Sequence, residues 1–164
     1  MKIARDVPVA TYPFTEYFKG FDRTKAVRRI FGNKTEEALR NLKVEFAMTR
    51  GYMSVSDIDG HILISARYLK EGDMTDIYLD IIHELVHVRQ FMEGKELFDD
   101  NFTYTKRPTE LEAYRHTVEE ARRMGLDDER ICQYLCTEWM SKSEIKRLAK
   151  ALNVKCEHLQ DSGE

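Results

Sequence analysis

The stretch from Asp76 to Gly94, DIYLDIIHELVHVRQFMEG, constrains the fold of this chain more than any other. Ile77, Leu79, Ile81, Ile82, Leu85, Val86 and Val88 spread around the whole circumference of a helix instead of lining one stripe. A helix apolar on nearly all sides belongs in the interior, covered from several directions. Gly72 and Asp73 break the chain in front of it. Asp73 stands where it can cap the first turn, the helix runs to near Glu93, and Gly94 lies just past its end. The rest of the chain must therefore supply cover for this helix.

Inside that apolar run sits His83-Glu84-Leu85-Val86-His87, an HExxH pentapeptide. Two histidines four residues apart project their imidazoles side by side, about one turn apart. That geometry can bind one Zn²⁺ through two nitrogens at roughly 2.0–2.1 Å. Glu84 could then reach a metal-activated water as general base, which names hydrolysis as the chemistry. Buried imidazoles and carboxylates are costly unless bonded or ligated. The competing reading is a satisfied pair of core histidines with Glu84 held by a neighbouring base.

A catalytic zinc keeps three protein ligands and one open position. The segment Arg107-Pro108-Thr109-Glu110-Leu111-Glu112-Ala113-Tyr114 offers two glutamates near the start of the next long helix. Here the chain resembles the gluzincin clan of zinc metallopeptidases, in which a glutamate on a following helix completes HExxH. That glutamate often lies in an E-x-x-A pattern, here Glu110-Leu111-Glu112-Ala113. Size and layout are most similar to the compact minigluzincins, over roughly Leu42 to Gly125. Glu112 stands three residues after Thr109 and fits the third position of a capping box, so it has a structural role to fill. Glu110 has none and sits at the pattern position; the two lie ~200° apart on a helix and cannot serve equally. Both could instead be surface glutamates favoured by the helix dipole.

The resemblance implies a peptidase with one Zn²⁺ per chain, held by His83, His87 and Glu110, and with Glu84 moving the proton. It implies a peptide or protein substrate lying extended along an exposed sheet edge, for which Leu63 and Ile64 are candidates. In several related families an aspartate follows the third ligand by four residues. Here that place is Tyr114, whose hydroxyl can accept from an imidazole or donate to an oxyanion. Tyr104, His116 and Arg115 are further candidates for oxyanion stabilisation, set against the plain reading of ordinary helix and loop residues. Two rival readings stand beside the peptidase. One is a latent or non-catalytic zinc-binding module, with Cys156 or His158 in the fourth position. The other is a DNA-associated regulator, because Arg147–Val154 resembles the first part of a helix-turn-helix, although only ten residues follow.

Composition narrows the partners. Across 164 residues, 26 Lys and Arg face 29 Asp and Glu, a net charge of −3 that offers no pull towards nucleic acid or anionic membrane. No apolar run reaches the ~20 residues of a membrane span, and the polar start Met1-Lys2-Ile3-Ala4-Arg5-Asp6 has no signal core. A cytoplasmic protein is expected. Three cysteines are too few and odd in number for a secreted disulfide scaffold. Cys132 and Cys136 have a ligand-like spacing, with Cys156 and His158 beyond them. A second zinc site is one reading, and small buried apolar cysteines on a helix are the other.

The layout reads as α+β, and the resemblance implies a zincin-like fold, in one domain over residues 1–164 with a core over about 21–125 and a helical extension over about 126–155. Residues 1–20 form an irregular lead-in that can cross the surface or add an edge strand. Asp22 caps a helix over Arg23–Phe31 that Gly32 ends, and a second runs over Thr35–Leu42. Leu42–Arg50, Gly51–Asp57 and His61–Ser65 alternate as strands and predict a three-stranded antiparallel meander, with a turn at Asp57-Ile58-Asp59-Gly60. This meander packs against the HExxH helix and the glutamate helix. Residues 95–107 form a loop, and helices follow over Thr109–Met124 and Asp128–Trp139. A capping box at Ser141–Glu144 opens the last helix, to about Leu152, in a closing hairpin that packs Leu148, Leu152 and Trp139 on the core. The tail after Lys155 is expected to be mobile.

Overall fold

The computed structural model describes residues 1–159, and the chain is α+β. Residues Met1–Phe98 pack into one compact unit and those from Asp99 onward into another. Among the described residues, no helix is long and apolar enough to cross a membrane.

The first unit opens with β1 (Lys2–Ile3), β2 (Thr11–Pro13), α1 (Phe14–Tyr17) and β3 (Phe18–Lys19), with β1 and β3 paired antiparallel. This lead-in exposes residues 8–11 and adds β2 as an edge strand, as expected, but its aromatic residues enter the core. Phe14 and Phe18 are buried and stacked with ring centroids 4.7 Å apart, and Phe21 meets Phe14 edge-on at 5.5 Å. Aromatic side chains bury so much area that a short irregular segment carrying three of them is pulled into the core. The helices α2 (Lys25–Phe31) and α3 (Thr35–Asn41) follow. Thr24, not Asp22, occupies the position before α2, because Phe21–Arg23 already turn as a 3-10 helix.

The strands β4 (Lys43–Ala47), β5 (Met53–Val55) and β6 (Ile62–Ser65) form where alternation placed them, but their pairing differs from a meander. The sheet has four strands in the order β2-β4-β6-β5, and its central pair, β4 and β6, runs parallel. β2 adds antiparallel to β4, and β5 adds antiparallel to β6. Burial explains the order. Val44, Phe46, Ile62 and Ile64 are all within the core, so the two most apolar strands take the centre and the short β5 is left at the edge. Alternation says which face of a strand is inside, not which strand lies beside it.

After β6 the chain turns into α4 (Ala66–Glu71), capped by the Ser65 hydroxyl accepting from the Tyr68 N–H, and then into α5 (Met74–Met92). Arg5 clasps the end of α4: its guanidinium donates to the carbonyls of Leu69, Lys70 and Gly72 at 2.6, 2.9 and 2.5 Å. The Asp73 carboxylate accepts from the Asp76 N–H at 3.0 Å, as expected for the cap of the central helix. Ile77, Leu79, Ile82, Leu85 and Val86 on α5 are fully enclosed, and β5 packs against this helix. Gly60 has a φ of 76°, and a Cβ there would lie 2.4 Å from the Phe91 ring, so the turn before β6 can close on the end of α5 only with glycine.

The second unit holds α6 (Pro108–Arg123), α7 (Asp128–Leu135) and α8 (Lys142–Ala151). Arg107 precedes α6 and Pro108 is its first residue, so Thr109 is not a cap and Glu110 holds the third helical position. The capping-box role expected for Glu112 therefore does not arise. Asp127 caps α7, accepting from the Arg130 N–H at 2.9 Å, and the Ser141–Glu144 capping box opens α8. α7 ends at Leu135 instead of Trp139, and Trp139 is 51% exposed while Leu148 and Leu152 are buried. The expected mobile tail instead folds back. Val154, Cys156 and Leu159 are buried, Glu157–Leu159 form a 3-10 turn, and the Lys155 N–H donates to Asp128 at 2.8 Å. The remainder of that tail, residues 160–164, lies outside the described residues.

Candidate metal centre

His83, Glu84 and His87 stand in the buried middle of α5, as the helical spacing requires. The imidazoles lie edge to face, centroids 4.8 Å apart, and their Nε2 atoms approach to 3.1 Å. Two nitrogens bound to one tetrahedral ion at the usual Zn–N distance would be ~3.3 Å apart. The pair is thus already spaced as two neighbouring ligands.

A residue that sequence reasoning missed fixes this arrangement. Gln90 is wholly buried on α5, and its Oε1 lies 2.7 Å from His87 Nδ1. An amide oxygen can only accept, so this contact favours the tautomer with the proton on Nδ1, which leaves the Nε2 lone pair for a ligand. This is how ligating histidines are commonly oriented. The signal was present: an uncharged amide three residues after His87, on the same side of a helix with no apolar reason to hold one.

Glu110 is buried in the first turn of α6. His83 and His87 offer two buried imidazole nitrogens and Glu110 a buried carboxylate oxygen, donor types that could hold a metal ion. That mixture suits a borderline cation. Glu112 is only half-buried. On α6, the wholly buried Ala113 and the buried Tyr114 follow Glu110, and the Tyr114 hydroxyl lies 3.0 Å from that of Tyr104. The two tyrosines named from sequence are therefore brought together. His116 is half-buried and Arg115 is exposed on the same helix.

Leu63 and Ile64, the candidates for an exposed edge, are on an interior strand: β6 is flanked by β4 and β5. The edge strand packed against α5 is β5. The Tyr52 carbonyl accepts from the Ser65 N–H at 2.9 Å and Ser54 faces Leu63, so in an antiparallel ladder Met53 and Val55 turn their main-chain groups to the outer side. Tyr52 stacks on Tyr68 at 4.2 Å, and the Tyr68 hydroxyl donates to Asp80 of α5. Burial, and then the neighbouring Asp80 charge, push the Tyr68 phenol far above its ordinary range, so it remains a donor.

In the second unit Cys132 is joined to Cys156 by a disulfide, which replaces the expectation of unpaired apolar cysteines and removes Cys156 as a fourth ligand. The His158 ring is engaged in the same place, 3.9 Å from Cys132 Sγ. A 3-10 turn, not a recognition helix, follows α8 among the described residues. Comparison with protein-family models, with curated proteins and with solved structures gives no match for this chain.

Proposed function

We propose that the chain is a zinc-dependent metallopeptidase of the gluzincin type, a cytoplasmic enzyme with a zincin-like arrangement. The observation that carries this reading is the His83–His87 pair, buried, 3.1 Å apart at Nε2 and oriented by Gln90, with Glu84 beside it on the same helix. Glu110 serves as the third ligand. Two imidazoles and a carboxylate with an open position favour Zn²⁺ over Mn²⁺, Co²⁺ or Fe²⁺. Bound there, the ion would polarise a scissile carbonyl and acidify a water.

The chain's own residues do the rest. Glu84 accepts the proton of the attacking water and passes it to the leaving amine. The hydroxyls of Tyr104 and Tyr114 are the donors suited to a developing oxyanion. The substrate is a peptide that adds as a strand to the outer edge of β5, where main-chain groups of Met53 and Val55 are directed. The stacked Tyr52 and Tyr68 rings offer an apolar wall near that edge.

The test is Glu84→Gln, read by metal analysis and by digestion of a broad peptide library. The substitution should keep about one zinc per chain and lower cleavage at least ~10³-fold. A Glu84→Gln protein that cleaves as fast as the parent sinks the mechanism.

A further inference from the structure

The C-terminal unit contains a second donor cluster that the proposed hydrolysis does not use. Cys136 closes the last turn of α7, and its N–H donates to the Cys132 carbonyl at 3.1 Å, which sets the two side chains one above the other. The tail returns past the start of α7, where the Lys155 N–H is fixed on Asp128, and so delivers Cys156 and His158 to the end of that helix. Ligand atoms of Cys132, Cys136 and His158 all lie within 4.8 Å of one another, and Cys156 is bonded to Cys132. A sulfur and an imidazole nitrogen on one tetrahedral zinc would be ~3.6 Å apart, and Cys132 Sγ stands 3.9 Å from His158 Nε2.

A disulfide alone needs two of these four residues. It gives no reason for a third cysteine and a histidine to converge on the same point. Three soft thiols and an imidazole are instead a complete donor set for a closed structural zinc. We propose that, once the Cys132–Cys156 bond is reduced, Cys132, Cys136, Cys156 and His158 hold one Zn²⁺ that fastens the tail to α7. The two states exclude each other, since the disulfide consumes two of the ligands.

The chemistry balances with a two-electron reductant. Two thiols can supply it and leave as their own disulfide. A phosphine can also supply it, leaving as its oxide with the oxygen of a water. Either way Cys132 and Cys156 gain two electrons and two protons. Binding Zn²⁺ then releases three thiol protons, one from each cysteine, while neutral His158 gives up none.

The full-length chain, stripped of metal and reduced with a phosphine, is titrated with Co²⁺ and followed in the near-ultraviolet, where thiolate-to-metal charge transfer absorbs. One equivalent should raise this band in the reduced chain and none should appear in the oxidised chain. The His83, His87 and Glu110 group has no sulfur, so the band reports the second cluster whatever happens at the first. Cys136→Ser keeps the disulfide when oxidised, which checks its folding, and on reduction should bind Co²⁺ at least ~100-fold more weakly with a diminished band. His158→Ala should weaken binding while leaving the band in place. A reduced parent without the band overturns the proposal, as does a Cys136→Ser chain that binds as tightly as the parent.

Discussion

The histidine helix and the cysteine cluster use the same local device, two donors four residues apart on a helix, in opposite surroundings. His83 and His87 sit mid-helix, enclosed by apolar side chains, with their geometry settled within α5 by Gln90. Cys132 and Cys136 stand where a helix ends, and their cluster is completed only when a tail segment 24 residues on from Cys132 folds back. The first arrangement is built within one helix, which suits the proposed site for chemistry. The second ties chain segments together, and its thiols can be satisfied by oxidation as well as by a metal. Spacing alone therefore does not distinguish a reactive centre from a fastening; what surrounds the pair does.

The strongest way to break this comparison is His83→Ala. It removes one of two imidazole donors, so metal analysis after a chelator wash should fall from about one histidine-bound ion per chain to near zero. Thiolate ligation in the reduced second unit should persist, and loss of both together would mean the two groups are not independent. Reduction of the disulfide in chelator is next. Cys132 and Cys156 are 24 residues apart, and releasing such a loop costs about 3 kcal/mol. Thermal unfolding of the reduced, metal-free chain should shift down accordingly, and an unchanged transition would show that the tail is held by its apolar residues alone.

Gln90→Leu sharpens the first half of the contrast. It preserves volume but removes the acceptor that orients His87, and should weaken Zn²⁺ binding ~10–100-fold without unfolding the helix. Competition with a chromogenic chelator measures this, and an unchanged affinity would relegate Gln90 to packing.

The smallest effect concerns a histidine outside both groups. His61 bridges Asp59 and Glu45, its Nε2 2.8 Å from the Glu45 carboxylate. Partial burial lowers the imidazole pKa, but the hydrogen bonds and charges of the two carboxylates outweigh it, and the net shift is upward. A raised folded pKa stabilises the chain below the unfolded value near ~6.5, and that contribution is lost as pH rises through the folded value. His61→Gln should therefore reduce stability by less than about 1 kcal/mol at pH 5.5 and hardly at all at pH 8.5. Chemical denaturation at the two pH values would show it, and equal losses would sink the ion-pair account.

Much of the fold was legible. The all-round apolar pattern of Asp76–Gly94 identified α5, and Asp73 and the Ser141–Glu144 box marked two helix starts. Helix starts are local, since a side chain bonds a main-chain N–H three residues away. The same local logic failed at Thr109, where proline's fixed φ starts α6 one residue early and leaves Glu110 in the third position. Leu63 and Ile64, candidates for the exposed edge, lie on an interior strand, because alternation carries no information about neighbours.

The sequence by itself determined the HExxH spacing, the long buried helix that carries it and the presence of a small sheet. These follow from periodicities of about 3.6 and 2 residues that any local segment displays. Only the tertiary structure decided the parallel pairing of β4 with β6, the hydrogen bond between His87 and Gln90 and the bonding of Cys132 to Cys156. The strand pairing and the disulfide join residues far apart in the chain, and the hydrogen bond depends on side-chain orientation. Each is settled by which groups share the interior once the chain has closed on itself, a competition for burial and bonding that no short window of sequence contains.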